Sequence, residues 1–173
     1  MLFGHGENFC LDLALAAENW QDDKMQRLPF RYNRNSHQVV IARGNIPFIA
    51  ALHGATLGGG LETASSAHLR VADETTLFGL PEGTRGIYIG AGGSVRIARL
   101  LGFTRMQDMM LTGRVFKPDE AERIGLVQYP VPKGQSLAKG KELALRICKN
   151  APLSNFAITN SLPRLQDMGY DDG

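Results

Sequence analysis

Ile46-Pro47-Phe48-Ile49-Ala50-Ala51-Leu52-His53-Gly54 is a short continuous apolar run that opens on a proline and closes on a glycine. No polar alternation interrupts it, which suits a strand buried on both faces. Four residues on, Gly58-Gly59-Gly60 leads into Leu61 to Ala67, a stretch that suits a short helix. Leu69-Arg70-Val71-Ala72-Asp73 then returns to a strand-like pattern. Strand, helix, strand in this order predicts an α/β fold.

Downstream, Thr76 to Gly79 reads as another short strand, followed by a glycine-rich stretch from Gly83 to Gly93. Val95, Ile97, Ala98 and Leu101 mark one face of a helix whose other face shows Arg96 and Arg99, with Gly102 ending it. A second helix runs from Arg105 to Leu111 and ends at Gly113. A third opens on Pro118, places Asp119 and Glu120 where the helix dipole favours negative charge, and stops at Gly125. Val127 to Val131 reads as a short strand broken by Pro130. Ser136 to Asn150 forms an amphipathic helix with Leu137, Leu143, Ala144 and Ile147 apolar, and Pro152 to Leu165 suits a final helix. Upstream the pattern is poor. Gly4 to Asn8 reads as a turn, residues 11–19 suit a short helix, and Val39-Val40-Ile41 fits either a strand or one buried helix face.

The chain has 173 residues, 43% hydrophobic and 21% charged, which suits one globular domain and argues against disorder. Its formal charge of +2 comes from scattered Lys and Arg, so neither a nucleic acid nor an anionic membrane surface is expected as a partner. Cys10 and Cys148 stand far apart and outside any CxxC spacing, which fits a reducing compartment. With no signal-like start and no apolar run of spanning length, the expectation is a cytoplasmic protein.

Two carboxylates stand beside glycine-rich turns: Glu62 after Gly58-Gly59-Gly60, and Glu82 in Phe78-Gly79-Leu80-Pro81-Glu82. Glycines let backbone N–H groups approach a ligand with no side chain between, and two carboxylates can divide acid and base work. A helix opening near Gly59 would offer that residue's N–H, at the positive end of the dipole, to a developing oxyanion. Glu62, three residues on, would share its face. A plain structural reading stands beside this one, in which three glycines make a tight turn and each glutamate is a surface residue. The series Gly86, Gly90, Gly92 and Gly93 implies backbone running close to another segment or a ligand. No phosphate loop, dinucleotide fingerprint, nucleophile elbow or metal-ligand histidine spacing is present in the sequence, and His53 reads as a hydrogen-bonded structural residue.

Taken together, Ile46 to Ala55, Leu57 to Glu62, Phe78 to Glu82, Gly86, Gly90-Ala91-Gly92-Gly93, Leu111 to Arg114, and Ala121 with Gly125-Leu126-Val127 resemble the core of the enoyl-CoA hydratase/isomerase (crotonase) superfamily. The likeness runs from about Ile46 to Leu165. It implies a crotonase-like spiral of β-β-α units over residues 1–173, with core motifs in 46–127 and a helical C-terminal part in 134–165, truncated at both ends relative to the family. It also implies a homotrimer or a dimer of trimers.

By the same resemblance, Glu62 matches the residue that activates water for attack on the β-carbon of a 2-enoyl-CoA thioester, and Glu82 the one that protonates the α-carbon. Gly59 matches one backbone donor to the thioester oxygen. Leu11 is the nearest match to the other, in Phe9-Cys10-Leu11-Asp12-Leu13, which is two residues shorter than the family's loop. Asp12, Leu13, Gly58, Pro81 and Gly90 are the further residues expected to contact substrate. Keeping both carboxylates favours a hydratase over an isomerase or another enolate chemistry; a catalytically silent, truncated acyl-CoA-binding subunit is the alternative from a different class. No metal or redox cofactor is implied, coenzyme A being part of the substrate.

Overall fold

The computed structural model describes residues 1–10, 37–165 and 168–169. The helix expected over residues 11–19, together with Leu11, Asp12 and Leu13, lies outside the described residues. The order is β1 (Leu2–Phe3), α1 (His37–Ala42), β2 (Ile49–Leu52), β3 (Ala55–Leu57), α2 (Gly59–Ser66), β4 (Leu69–Asp73), β5 (Leu77–Gly79) and a 3₁₀ turn (Pro81–Arg85). Then follow α3 (Gly93–Leu101), α4 (Phe103–Thr112), β6 (Val115–Phe116), α5 (Pro118–Arg123), β7 (Tyr129–Val131), α6 (Ser136–Ile147) and α7 (Pro152–Leu165). None of the described helices is long and apolar enough to cross a membrane.

The strands form two sheets, ordered β1-β2-β4-β7 and β3-β5-β6. The first is parallel throughout; in the second, β3 and β5 are parallel and β6 is antiparallel to β5. Two successive passes of the chain each lay one strand in each sheet before a helical turn follows. β2, β3 and α2 make one such unit, and β4, β5, the 3₁₀ turn and α3 the next.

All four residues of β2 are buried, as the unbroken apolar run predicts. Ala50 and Leu52 join the main core with Leu61, Ala64, Phe78, Leu80, Ile97 and Met109, whereas Ile49 packs with Val71 and Leu143 on the other side. Burying both faces of a parallel sheet requires a helix on each, and α6 covers the second face. Gly140 permits the approach: a Cβ there would stand 2.9 Å from the Met1 sulfur and 3.5 Å from Ala51 Cβ.

The apolar run ends where the chain turns a corner. At Gly54, with φ +56°, the chain leaves one sheet and enters the other, and a Cβ there would overlap the Glu7 carbonyl. β3, β1 and β6 are too short to show an alternation, so the pattern did not reveal them. The segment 39–41 is helical, with Val39 and Ile41 buried and Val40 exposed. Two expectations need correction. Val95 is 48% exposed, because α3 buries Gly93, Ile97 and Leu101 at strict four-residue spacing. Pro130 does not break its strand: it lies within β7, paired opposite Ala72 at the edge of the sheet, where a missing N–H costs no ladder bond on the outer side.

Candidate active site

Glu62 and Glu82 are delivered by neighbouring strands. β3 and β5 run in parallel with Leu57 opposite Gly79, and the Gly58 N–H donates to the Gly79 carbonyl at 3.0 Å. The chain leaves β3 into α2, which carries Glu62 in its first turn, and leaves β5 into the 3₁₀ turn, which Pro81 opens and Glu82 follows. Both carboxylates thus emerge at the carboxyl ends of adjacent parallel strands, where crevices form in open α/β sheets. Both are almost wholly enclosed, Glu62 at 6% exposure and Glu82 at 3%, so neither is the surface residue of the plain structural reading.

The entry to α2 is built from glycine for steric reasons. Gly58 takes φ +50° and ψ −121°, and its carbonyl accepts the Glu62 N–H at 2.9 Å. Gly59 is the first helical residue, at the positive end of the dipole. Gly60 packs against the segment that leads towards Leu11: a Cβ on it would overlap the Cys10 carbonyl oxygen. That segment is held as an extra edge on β3, with Cys10 N–H donating to Ala55 O at 3.1 Å and Leu57 N–H to Cys10 O at 3.1 Å. The sequence immediately before Leu11 therefore runs beside the start of α2.

The loop between the 3₁₀ turn and α3 fixes Glu62. Gly90 donates its N–H to Glu62 Oε1 at 2.8 Å, and Gly93 lies so close that a Cβ there would stand 3.0 Å from Glu62 Cγ. Ala91 holds φ +48°, a left-handed conformation that costs a non-glycine residue about 1–2 kcal/mol. The Arg96 guanidinium braces the loop by donating to the Ala91 carbonyl at 2.9 Å. The glycine series therefore has mixed causes. Only Gly93 is packed tightly against core neighbours, Gly86 and Gly92 supply positive φ, and Gly90 faces open space.

The structure thus gathers Gly58, Gly59, Glu62, Pro81, Glu82 and Gly90 around the ends of two paired strands. Gly93, Arg96 and Cys10 pack against or brace these residues. The sequence marked Gly93 within the glycine series that implied close approach and Cys10 only as part of the loop before Leu11, while Arg96 read as one polar face of a helix. His53 is hydrogen-bonded as expected, with Nε2 3.1 Å from the Gly6 carbonyl oxygen and its ring 4.9 Å from that of Phe3.

A family model described as enoyl-CoA hydratase/isomerase matches residues 1–168. The chain belongs to the enoyl-CoA hydratase/isomerase family. Over 170 residues it is 34% identical to enoyl-CoA hydratase EchA19 of Mycobacterium tuberculosis, covering 97% of this chain and 64% of that protein. Over 128 residues it is 43% identical to the fatty acid oxidation complex subunit alpha of Shewanella sp. strain ANA-3, covering 73% of this chain and 18% of that subunit. The crystal structure of enoyl-CoA hydratase from Bacillus anthracis superposes with a TM-score of 0.86 at 30% identity, covering 96% of this chain and 65% of that one. The β-β-α spiral is accordingly the crotonase fold. The chain spans less than two thirds of the length of each of these proteins.

Proposed function

We propose that this member of the enoyl-CoA hydratase/isomerase family hydrates a 2-enoyl-CoA thioester. The observation that carries the reading is the burial of Glu62 and Glu82 at the carboxyl ends of the paired strands β3 and β5, beside the N-terminus of α2. In this scheme Glu62 takes a proton from water as its oxygen bonds the β-carbon, and the electron pair of the double bond moves towards the thioester. Negative charge grows on the carbonyl oxygen, where the Gly59 N–H and the dipole of α2 stabilise it more than they stabilise the ground state. Glu82 then gives the α-carbon its proton, and the proton held by Glu62 is returned to Glu82 through solvent, so one water is added and no electrons are gained or lost. That balance asks for no redox or metal cofactor.

Leu11 is the proposed second donor, with Asp12 and Leu13 beside it in the substrate's path. These three lie outside the described residues, and the support is that Cys10, just before them, touches Gly60. Gly58, Pro81 and Gly90 are the proposed further contacts. Gly90 gives its N–H to Glu62, so its open side is the one left for substrate. A homotrimer or a dimer of trimers is also proposed, supported by the exposed apolar side chains Leu153, Phe156, Ile158 and Leu162 on α7.

Crotonyl-CoA hydration, followed by loss of enoyl-thioester absorbance, tests the scheme. Glu62→Gln and Glu82→Gln should each lower kcat by about 10³-fold, the scale of a general acid or base. Full rate in both variants would overturn it.

A further inference from the structure

At the other end of α2, a cavity of about 720 Å³ opens between α1, α2, α3 and α7. Its walls carry Arg43, His68, Arg70, Arg96, Arg99 and Arg164, and no described aspartate or glutamate lines it. One of these groups lacks a charged partner among the described residues and another lacks an acceptor. Arg70 is 2% exposed, and its guanidinium donates to two neutral carbonyls, Leu126 O at 2.7 Å and Ala67 O at 2.5 Å. Neither acceptor carries charge, so the buried cation has no counter-charge among the described residues. Burial alone pulls its pKa down to about 10.

His68 shows the second deficit. Its Nδ1 accepts the Phe48 N–H at 2.9 Å, so the neutral ring carries its proton on Nε2. That Nε2 is buried and meets no acceptor. A buried donor left in this state costs free energy comparable to a lost hydrogen bond.

We propose that this cavity binds a phosphate-bearing small molecule, with Arg70 and His68 holding the phosphate and Arg43 and Arg164 meeting it at the mouth. A phosphate brings a charge of about −1.5 to −2 and three acceptor oxygens. Those oxygens suit both the guanidinium fork of Arg70 and the imidazole N–H of His68 at once. The volume falls within the range of about 300–1,000 Å³ typical of small-molecule sites, so there is room for an organic part. Val39, Val95 and Leu100 supply an apolar wall for it. This site does not rest on the hydration chemistry, since it lies at the far end of α2 from Gly59.

Calorimetric titration of the chain with inorganic pyrophosphate at fixed ionic strength tests the proposal, with adenosine 3′,5′-bisphosphate as a parallel probe. Arg43→Ser/Arg164→Ser changes two exposed side chains, and an unchanged melting temperature would show that the variant folds. Binding should weaken at least tenfold in the variant, and bound pyrophosphate should raise the His68 ring pKa in an NMR titration. Tighter binding of the nucleotide, lost in the same variant, would assign the organic part. No binding at millimolar pyrophosphate, or binding indifferent to both arginines with an unmoved His68 resonance, would overturn the proposal.

Discussion

At its N-terminal end α2 meets glycine backbone and the buried carboxylate of Glu62; at its C-terminal end, one short helix away, it meets Arg70 and His68. Each end carries the charge that the helix dipole favours there. The construction differs. The N-terminal end is made by main chains approaching closely, with Gly58 to Gly60 against Gly79 and Cys10. The C-terminal end is made by long side chains reaching in from separate elements, from Arg43 after α1 to Arg164 in α7. A site of the first kind should be intolerant of one added methyl group, and a site of the second kind of one lost hydrogen-bonding head.

The largest expected effect breaks the N-terminal end alone. Gly60→Ala drives a methyl into the Cys10 carbonyl, which cannot yield without disturbing its bonds to β3. Overpacking of this kind should cost about 3 kcal/mol, read by urea denaturation. Gly90→Ala, where nothing lies within 4 Å, should stay within about 0.5 kcal/mol and serves as the control. Equal losses would mean that close backbone approach does not define this end.

Arg70→Met is the matching break at the C-terminal end. It strands the Leu126 and Ala67 carbonyls in the interior, and the loss should be about 2 kcal/mol by the same measurement. Unchanged stability would show that relief of the buried charge offsets the two lost bonds.

The same contrast explains what the sequence made legible. Glu62, Glu82 and Gly59 stand in contiguous stretches whose glycines announce close approach, so an α/β core and the carboxylate pair could be read from Ile46 to Glu82, while the spiral of β-β-α units followed only from the family resemblance. The arginine cavity could not. Its members are spread from Arg43 to Arg164, and each looks like a solvated surface charge until four elements converge on it. The strand beyond the corner at Gly54 was hidden for another reason, because the three residues of β3 are too few to show a pattern. Val95 was misassigned because α3 is turned so that small Gly93, rather than Val95, faces Glu62.

Gly93→Ala sharpens the comparison within the N-terminal end. Its Cβ would stand 3.0 Å from both Glu62 Cγ and the Ile89 side chain, contacts that side-chain adjustment can relieve. Stability should change little, while displacement of the carboxylate should lower kcat for crotonyl-CoA about tenfold, or about 1.4 kcal/mol of barrier. A loss of stability with kcat intact would reverse the assignment of Gly93 as a positioning residue.

The smallest effect concerns protons at the C-terminal end. Burial, then the neighbouring Arg70 charge, lowers the His68 pKa below its ordinary 6.5. The native ring therefore stays neutral while the unfolded one takes up a proton as pH falls through 6.5. Where the unfolded state binds more protons, stability rises with pH, so acidification from 6.5 down to the folded-state pKa should lower the urea midpoint. Arg43, Arg96, Arg99 and Arg164 are the other charged side chains that face the same cavity. His68→Asn can keep an acceptor for the Phe48 N–H while removing the titration, so its midpoint should fall less between pH 7.5 and 5.5. Pyrophosphate should flatten the wild-type profile in the same way, because an anion beside the ring favours its charged form. If the wild type and His68→Asn lose stability equally, the ring is not held neutral by its surroundings, and the contrast between the two ends of α2 loses its electrostatic basis.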